Sequence, residues 1–246
     1  MQHPGPNSRD QTGPRQKLES PETPEDIEPI NVTGRRPTTP GEGFGQLWSK
    51  SYTLAFADST VRPEAVIAEW KDRFDQFWPQ GNRFYVDGPL RKGKVAALKL
   101  GFRFGPHVYT GMLVTDSDAR SFRLASAQGH MFTGWLRLSA GDEDGRTVLQ
   151  VEVRMRATDP FYEACLLFGG HGLEDTFWER TLTAVAEFFK QEGPVIKRRR
   201  LLDRHRNWGR AWLIWYNAAL RSMLWEAIAP VRSLWTKLRL AAQRDA

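Results

Sequence analysis

The sequence predicts an α+β fold in which a curved antiparallel β-sheet wraps around a long C-terminal helix. Two observations predict it. Between Lys94 and Lys190 a series of strand-like segments leads into one long helical pattern, and a strand and a helix precede that series. A sheet curled around a helix leaves room for an apolar hollow, and such concave apolar spaces are where proteins usually hold small molecules.

Order is expected to begin near Phe44 with a half-buried strand, because large residues then alternate along the chain. These residues are Trp48, Tyr52, Leu54 and Phe56. A helix is predicted from Pro63 to about Trp78, since proline is favoured at the first helical position and apolar residues follow at helical spacing.

Five more strand-like segments form the predicted meander. They cover residues 94–104, 107–115, 121–127, 130–139 and 146–156, with turns rich in Gly, Pro and Asp between them. In the last segment the apolar residues share one parity and the charged residues the other, which predicts a sheet with one wet side.

The final helix is predicted to start at Asp159-Pro160, with aspartate as the cap and proline in the first turn. A Gly-Gly-His-Gly sequence at residues 169–172 interrupts the helical pattern. The pattern resumes and ends at Gly193-Pro194, a common way to stop a helix.

Composition divides the chain into three parts: a disordered segment at residues 1–43, the folded domain at 44–193 and a basic amphipathic helical extension at 194–246. The first segment has too few large apolar residues to offset the entropy of ordering. The extension holds 12 basic against 3 acidic residues, whereas residues 1–193 hold 23 against 26. An anionic partner is therefore expected for the extension, and nucleic acid is not expected for the body.

Four short sequences resemble an uncharacterised bacterial branch of the START-like (SRPBCC, helix-grip) superfamily. They are Phe-Trp-Pro-Gln-Gly-Asn-Arg-Phe at 77–84, Gln-Gly-His-Met-Phe-Thr-Gly-Trp at 128–135, Arg-Ala-Thr-Asp-Pro-Phe-Tyr-Glu at 156–163, and Gly-Gly-His at 169–171 with Glu-Asp-Thr-Phe-Trp at 174–178. The resemblance covers roughly residues 46–190. It implies a helix-grip fold, and by analogy the binding or carrying of a hydrophobic small molecule, lipid or polyketide-like, in an internal cavity.

Seven residues are candidates for the lining of this cavity: Tyr52, Phe56, Phe102, His130, Phe132, His171 and Phe177. His130 shares its predicted strand parity with Phe132, so its ring either orients a ligand or is a satisfied core histidine. His171 lies in the glycine-rich break, which is either a gate to the hollow or a bend matched to the sheet.

Catalytic machinery is not recognisable, so no catalytic residue is assigned. The alternative is a cyclase, dehydratase or hydrolase that uses the same cavity, with His130 or Tyr52 as the acid–base group; a third hypothesis is a non-catalytic adaptor for another protein. No carboxylate pair is predicted near an apolar face. Scattered histidines and a single cysteine, Cys165, predict no metal site, no cofactor and no internal disulfide.

The extension is predicted to form a helix from Trp208 to Ala229 that contacts a membrane surface or a partner. The contact residues are Arg210, Trp212, Trp215, Arg221, Trp225 and Trp235. A central arginine costs at least ~2.5 kcal/mol in a span, so the interface is favoured over crossing. Packing of this helix on the body, on a second copy or on another protein stays open. The N-terminus lacks a signal-peptide pattern, which predicts a cytoplasmic protein. Peripheral association with the inner face of the membrane stays open.

Overall fold

One antiparallel sheet of eight strands dominates the computed structural model, which describes residues 17–57, 60–101 and 107–230. The strands are β1 (Leu47–Ala55), β2 (Arg83–Val86), β3 (Val95–Leu100), β4 (Val108–Ser117), β5 (Ser121–Ser126), β6 (Phe132–Glu143), β7 (Arg146–Ala157) and β8 (Ile196–Asp203). Their order across the sheet is β2-β3-β4-β5-β6-β7-β1-β8.

The helices are α1 (Pro63–Asp72), α2 (Pro160–Cys165), α3 (His171–Phe188) and α4 (Ala218–Ala227). Short 3-10 helices cover Pro40–Glu42, Phe74–Phe77 and Trp208–Tyr216, and a π-helical turn covers Leu166–Gly170. The predicted helix from Pro63 to Trp78 is therefore split at Arg73 into α1 and a 3-10 turn.

The curved sheet buries one side against α1 and α3, which confirms the predicted fold class. Alternation along β7 fixes this side, because Leu149, Val151, Val153 and Met155 are all buried. β7 pairs with β6 as a hairpin and with β1 on its other side, where Tyr52 lies opposite Val151. α3 adds Trp178, Leu182 and Val185 to the same core.

The start of the last helical region follows the sequence prediction. The Asp159 side chain caps α2 by accepting a hydrogen bond from the Tyr162 backbone N–H, 3.1 Å away, and Pro160 occupies the first turn. After six residues the helix is broken: Phe168 leaves the helical region, and Gly169 has a φ of 106°, which favours glycine. α3 then ends at Phe188, before the predicted stop at Gly193-Pro194.

Residues 17–43 differ from the expected disorder, because a few spaced apolar residues find places on the body. Leu18, Ile27 and Val32 are buried, the latter two against Ala97 of β3. Asn31 is fully buried: its Nδ2 donates to the Tyr109 carbonyl (2.8 Å) and the Ala218 carbonyl (3.3 Å), and its Oδ1 accepts from Arg221 Nε (3.0 Å). Residues 1–16 lie outside the described part of the chain.

The extension at 194–246 also differs from prediction, because it is not helical throughout. Residues 196–203 form β8 and pair antiparallel with the free edge of β1, so the sheet continues past the predicted boundary at residue 193. Pairing with β1 gives the backbone groups of this basic run hydrogen-bond partners without a helix. A 3-10 helix and α4 follow, separated at Asn217, in place of one helix from Trp208 to Ala229.

These last elements are fastened to the body by buried polar contacts. Asn217 Nδ2 donates to Asp159 Oδ2 (2.9 Å), and the Ala219 N–H donates to the Tyr162 hydroxyl (2.9 Å). The Ala218 N–H donates to the Gly129 carbonyl (2.9 Å). Of the interpretations left open for this region, packing on the body is therefore the arrangement seen for residues 208–227. No helix among the described residues is long and apolar enough to cross a membrane.

Candidate functional site

A cluster of charged side chains lies between β1 and the first turns of α3. Lys50 Nζ is 2.7 Å from Glu174 Oε2 and 2.9 Å from Asp175 Oδ1, and the Tyr52 hydroxyl donates to the same Asp175 oxygen at 2.7 Å. Lys50 and Tyr52 are two residues apart on β1, so both project toward the helix. The sheet and α3 are thus held together by salt bridges as well as by apolar contacts.

His171, the first residue of α3, borders this cluster. Its ring packs edge-on against Trp48, with centroids 4.8 Å apart, and its backbone carbonyl accepts a 3.4 Å hydrogen bond from Lys50 Nζ. Burial, with help from the charges of Lys50 and Arg199, lowers the pKa of His171 to about 4. The ring is therefore neutral at pH 7 and can accept a hydrogen bond.

The two carboxyl groups of the cluster titrate differently. Burial raises the pKa of Glu174, although Lys50 opposes the shift. Burial would also raise the pKa of Asp175, but hydrogen bonds from Tyr52 and Lys50 outweigh it, so that pKa is lowered. Burial and the neighbouring Glu174 and Asp175 charges raise the pKa of Tyr52, which keeps the phenol protonated. Asp175 is thus the carboxyl group whose ionised form this cluster favours more strongly.

A cavity of about 30 Å³ lies between α3 and strands β4 to β7. This is room for one or two water molecules. Ligand pockets typically have volumes of about 300–1,000 Å³. The prediction of a large apolar hollow is therefore wrong for this conformation of the protein. The wall residues are Met112, Ser126, Phe132, Gly134, Trp135, Leu136, Val153, Met155, Glu174 and Trp178.

The seven candidate lining residues fall in different places. Phe132 lines the cavity, whereas Tyr52 points to Asp175, Phe56 packs near Phe189, and Phe177 packs on Trp78. Phe102 lies outside the described residues.

His130 is not part of a strand, as its parity argument assumed, but lies in the turn before β6. Its Nδ1 accepts a 3.2 Å hydrogen bond from the Phe132 N–H, and burial lowers the pKa of the ring to about 4. Neither His130 nor Tyr52 is among the residues of the cavity wall. The geometry therefore gives no support to either of them as an acid–base group acting on a ligand there.

Sequence reasoning missed Lys50, Glu174 and Asp175, and its statement that no carboxylate pair lies near an apolar face is wrong. One signal was available. Lys50 has the same strand parity as Tyr52, and Glu174 precedes Trp178 by one helical turn, so both share faces with core residues. Among the described residues, no group of three or more His, Cys, Asp or Glu side chains is arranged to hold a metal ion.

The residues proposed to contact a membrane or partner are partly exposed. Trp212 and Trp215 are exposed in the 3-10 helix, and Trp225 is half-buried. Arg221 is committed to Asn31 through its Nε, which leaves Arg210 as the half-buried cation of the 3-10 helix. Trp235 lies outside the described residues.

The exposed edge strand β8 carries four consecutive cations at residues 197–200. Lys197 and Arg199 point to the helix side, where Lys197 pairs with Glu179 (2.6 Å) and Arg199 lies over the Trp48 ring (5.5 Å). Strand alternation directs Arg198 and Arg200 to the opposite side.

No family model and no curated protein matches the chain, but solved structures resemble its fold. Protein Ms6760 from Mycobacterium smegmatis is 16% identical over 58% of this chain and 90% of that chain, with a TM-score of 0.43. The di-domain ARO/CYC StfQ from the steffimycin biosynthetic pathway is 10% identical over 59% of this chain and 51% of that chain, with a TM-score of 0.47. Ara h 8.0201 is 11% identical over 58% of this chain and 97% of that chain, with a TM-score of 0.40.

The architecture itself decides the fold. A first strand and helix lead into an antiparallel meander, the first strand pairs with the last strand of that meander, and a long helix then packs against the sheet. This chain has the START-like helix-grip fold.

Proposed function

We propose that this protein binds a hydrophobic small molecule between the helix-facing side of the sheet and α3. The observation that carries the proposal is the break between α2 and α3. Leu167, Phe168 and Leu173 are exposed around this break, Phe168 to 90%, while Glu174 and Trp178 just beyond it line the cavity. Exposed apolar side chains beside a route into an apolar interior are typical of a binding site.

Binding requires an opened conformation, because about 30 Å³ is too little for a lipid-sized molecule. The break supplies a hinge. Gly169 has a φ of 106°, and a Cβ on Gly170 would lie 2.8 Å from the Cys165 carbonyl, so these glycines allow a sharp turn that other residues would obstruct. A swing of the first turns of α3 about this point would enlarge the cavity from the α3 side.

Titration with N-phenyl-1-naphthylamine, a neutral dye that fluoresces in apolar surroundings, tests the proposal. The variant Val153→Phe adds bulk to the cavity wall, and Ile196→Phe, on the exposed edge strand, is the matched control. We expect micromolar binding by the wild type and the control, and at least tenfold weaker binding by Val153→Phe, with circular dichroism verifying that each is folded. Absence of dye binding to the wild type, or equal binding by folded Val153→Phe, would overturn the proposal.

We further propose that the protein works at an anionic membrane surface. The supporting observation is the combination of exposed aromatic residues with the basic edge strand: Trp208 and Trp215 are exposed to 73% and 79%, and 197–200 are all exposed cations. Indole rings favour the headgroup boundary, and each Lys or Arg near an anionic surface contributes ~1 kcal/mol.

Vesicle co-sedimentation of the full chain tests this second proposal. We expect binding to vesicles that contain phosphatidylglycerol and not to pure phosphatidylcholine. The double variant Arg198→Gln/Arg200→Gln should bind about tenfold more weakly or worse. The control Arg91→Gln/Lys92→Gln removes the same charge from the β2–β3 loop and should bind normally. Equal loss in both double variants, or no binding to either vesicle, would contradict a membrane-facing role.

A further inference from the structure

Glu174 is a buried carboxyl group that faces the cavity without a full set of partners. The residue is 9% exposed. Apart from the two Trp rings, only Glu174 and Ser126 among the wall residues have a polar side chain. Lys50 Nζ lies 2.7 Å from Oε2, and the Trp178 side chain lies close enough to the carboxyl group to lower its pKa, but within the described residues Oε1 has no hydrogen bond of good geometry. Buried polar atoms normally have one, so the orphan oxygen indicates a partner that comes from outside the chain.

The other polar side chain of the wall, Ser126, is already engaged. Its hydroxyl accepts a 3.1 Å hydrogen bond from the Gly134 N–H and pairs with the Thr38 hydroxyl at 2.9 Å. The wall is otherwise built largely from apolar and aromatic side chains such as Met112, Leu136 and Met155. Apart from the Trp135 and Trp178 rings, a molecule in this space would therefore meet one polar side chain that is not fully engaged, that of Glu174, in mainly apolar surroundings.

We propose that Glu174 binds the polar end of the ligand and that this ligand is a neutral, mainly apolar molecule carrying a hydroxyl or amine hydrogen-bond donor. The inference rests on the proposed ligand-binding function and narrows its ligand class. The donor end would enter deepest and pair with Oε1, while the apolar part would occupy the space opened by the swing of α3.

The charges of the cluster argue against an anionic ligand. Lys50 is already paired with Glu174 and Asp175, at 2.7 and 2.9 Å, so its charge is not available to a ligand carboxylate. A carboxylate at Oε1 would meet the Glu174 carboxyl group in a poorly hydrated space, where like charges repel strongly. Fatty acids and other free acids are therefore excluded from the expected ligand class.

Three shape-matched probes test the inference by titration calorimetry at pH 7: 2-naphthol, 2-methylnaphthalene and 2-naphthoate. Replacing a hydroxyl by a methyl group increases hydrophobicity but removes the donor. We expect 2-naphthol to bind at least tenfold more tightly than 2-methylnaphthalene, since a site built around a donor rejects an analogue that lacks it. 2-Naphthoate should bind most weakly.

Variants at Glu174 locate the effect. Glu174→Leu should remove the preference for 2-naphthol while still binding 2-methylnaphthalene, and Glu174→Gln, which keeps a hydrogen-bond acceptor, should retain part of the preference. Glu187→Gln, an exposed position on α3, is the matched control and should behave as the wild type. If Glu174→Leu does not fold, the comparison of Glu174→Gln with the wild type carries the test.

The outcomes separate this inference from the proposed function. Equal affinity for 2-naphthol and 2-methylnaphthalene would overturn the role of Glu174 and leave apolar ligand binding intact. Tightest binding of 2-naphthoate would also overturn it, in favour of an anionic ligand. Failure of all three probes and of N-phenyl-1-naphthylamine to bind would overturn both proposals.

Discussion

Lys50 on β1 and Glu174 on α3 approach to 2.7 Å in the interior, between the sheet and the helix it grips. The lysine side chain is almost completely buried, and Asp175 lies 2.9 Å from the same nitrogen. An ammonium group in such a place is tolerable only because these carboxyl groups compensate its charge. The pair therefore holds the first turns of α3, where the proposed opening would occur.

Replacing Lys50 with methionine should destabilise the protein by about 3 kcal/mol at pH 7, because it leaves two carboxyl groups without their cation. Urea unfolding followed by circular dichroism measures the change. The double variant Lys50→Met/Glu174→Gln should recover part of the lost unfolding free energy, since it removes one of the two carboxyl groups that Lys50→Met leaves without a cation. A loss below about 1 kcal/mol for Lys50→Met would mean that the ion cluster is worth little.

Stability should fall as the pH drops from 6.5 toward 4, because His130 is buried as a neutral ring. Burial lowers its pKa to about 4. Between pH 6.5 and 4 the ring is therefore protonated in the unfolded chain but neutral in the native state, and this difference favours unfolding in acid. The effect amounts to at most about 3 kcal/mol. His130→Gln should reduce the dependence of the unfolding free energy on pH between 6.5 and 4 without abolishing it, because the pKa of His171 is lowered to about 4 as well. An unchanged slope would contradict this origin.

Gly129→Ala should loosen the contact between the β5–β6 turn and the C-terminal elements. A Cβ there would lie 2.0 Å from the Tyr216 carbonyl oxygen, and the residue has a φ of 91°. Gly88→Ala is the control, because its φ is 75° but no atom lies within 4 Å of the added carbon. We expect a cost of about 1 kcal/mol for Gly88→Ala, from the backbone alone, and about 2 kcal/mol more for Gly129→Ala.

Trypsin provides a second measure of the Gly129→Ala variant. Cleavage after Arg210 and Arg221 should be faster than in the wild type and in Gly88→Ala, because the Ala218 N–H loses its carbonyl partner at residue 129. Identical digestion of the two variants would show that the C-terminal elements do not depend on this contact.

Cys165 provides an unmodified reporter of the hinge, since it is the single cysteine, is exposed, and immediately precedes the break. Burial of the thiol raises its pKa, so its reaction with iodoacetamide should quicken about tenfold from pH 7 to pH 8. Saturating N-phenyl-1-naphthylamine should quicken it further at fixed pH, because an opened break would remove the partial burial that raises the pKa of the thiol. Mass spectrometry measures the rate, and a rate that is insensitive to the dye would argue against a moving break.

The fold could be predicted because its signals are local. Alternation in residues 146–156, the proline after Asp159 and the glycines at 169–172 each fix one element, and the order of elements then limits the topology. The edge strand β8 was not predicted, because a run of Lys and Arg is typical of a solvent-exposed segment. Its pairing partner, β1, is far away in the sequence.

The site could not be predicted to the same extent, since it depends on distant pairs and on volume. Asp175 lies 125 positions from Lys50, and the sequence around either residue does not indicate that the two are in contact. Cavity size is set by how completely side chains such as Phe132 and Trp178 fill the space between sheet and helix, which strand parity does not determine.

Asn31 imposes an order on the folding of the nascent chain. Its amide bonds to the carbonyl of Ala218, 187 positions later, and to the side chain of Arg221. During synthesis the contacts of Ile27 and Val32 with β3 and the bond from Asn31 to the Tyr109 carbonyl can form first, whereas the bonds to Ala218 and Arg221 must wait until α4 has left the ribosome. A chain that stops before α4 would therefore leave the Asn31 side chain with its bond to Tyr109 but without its partners in α4.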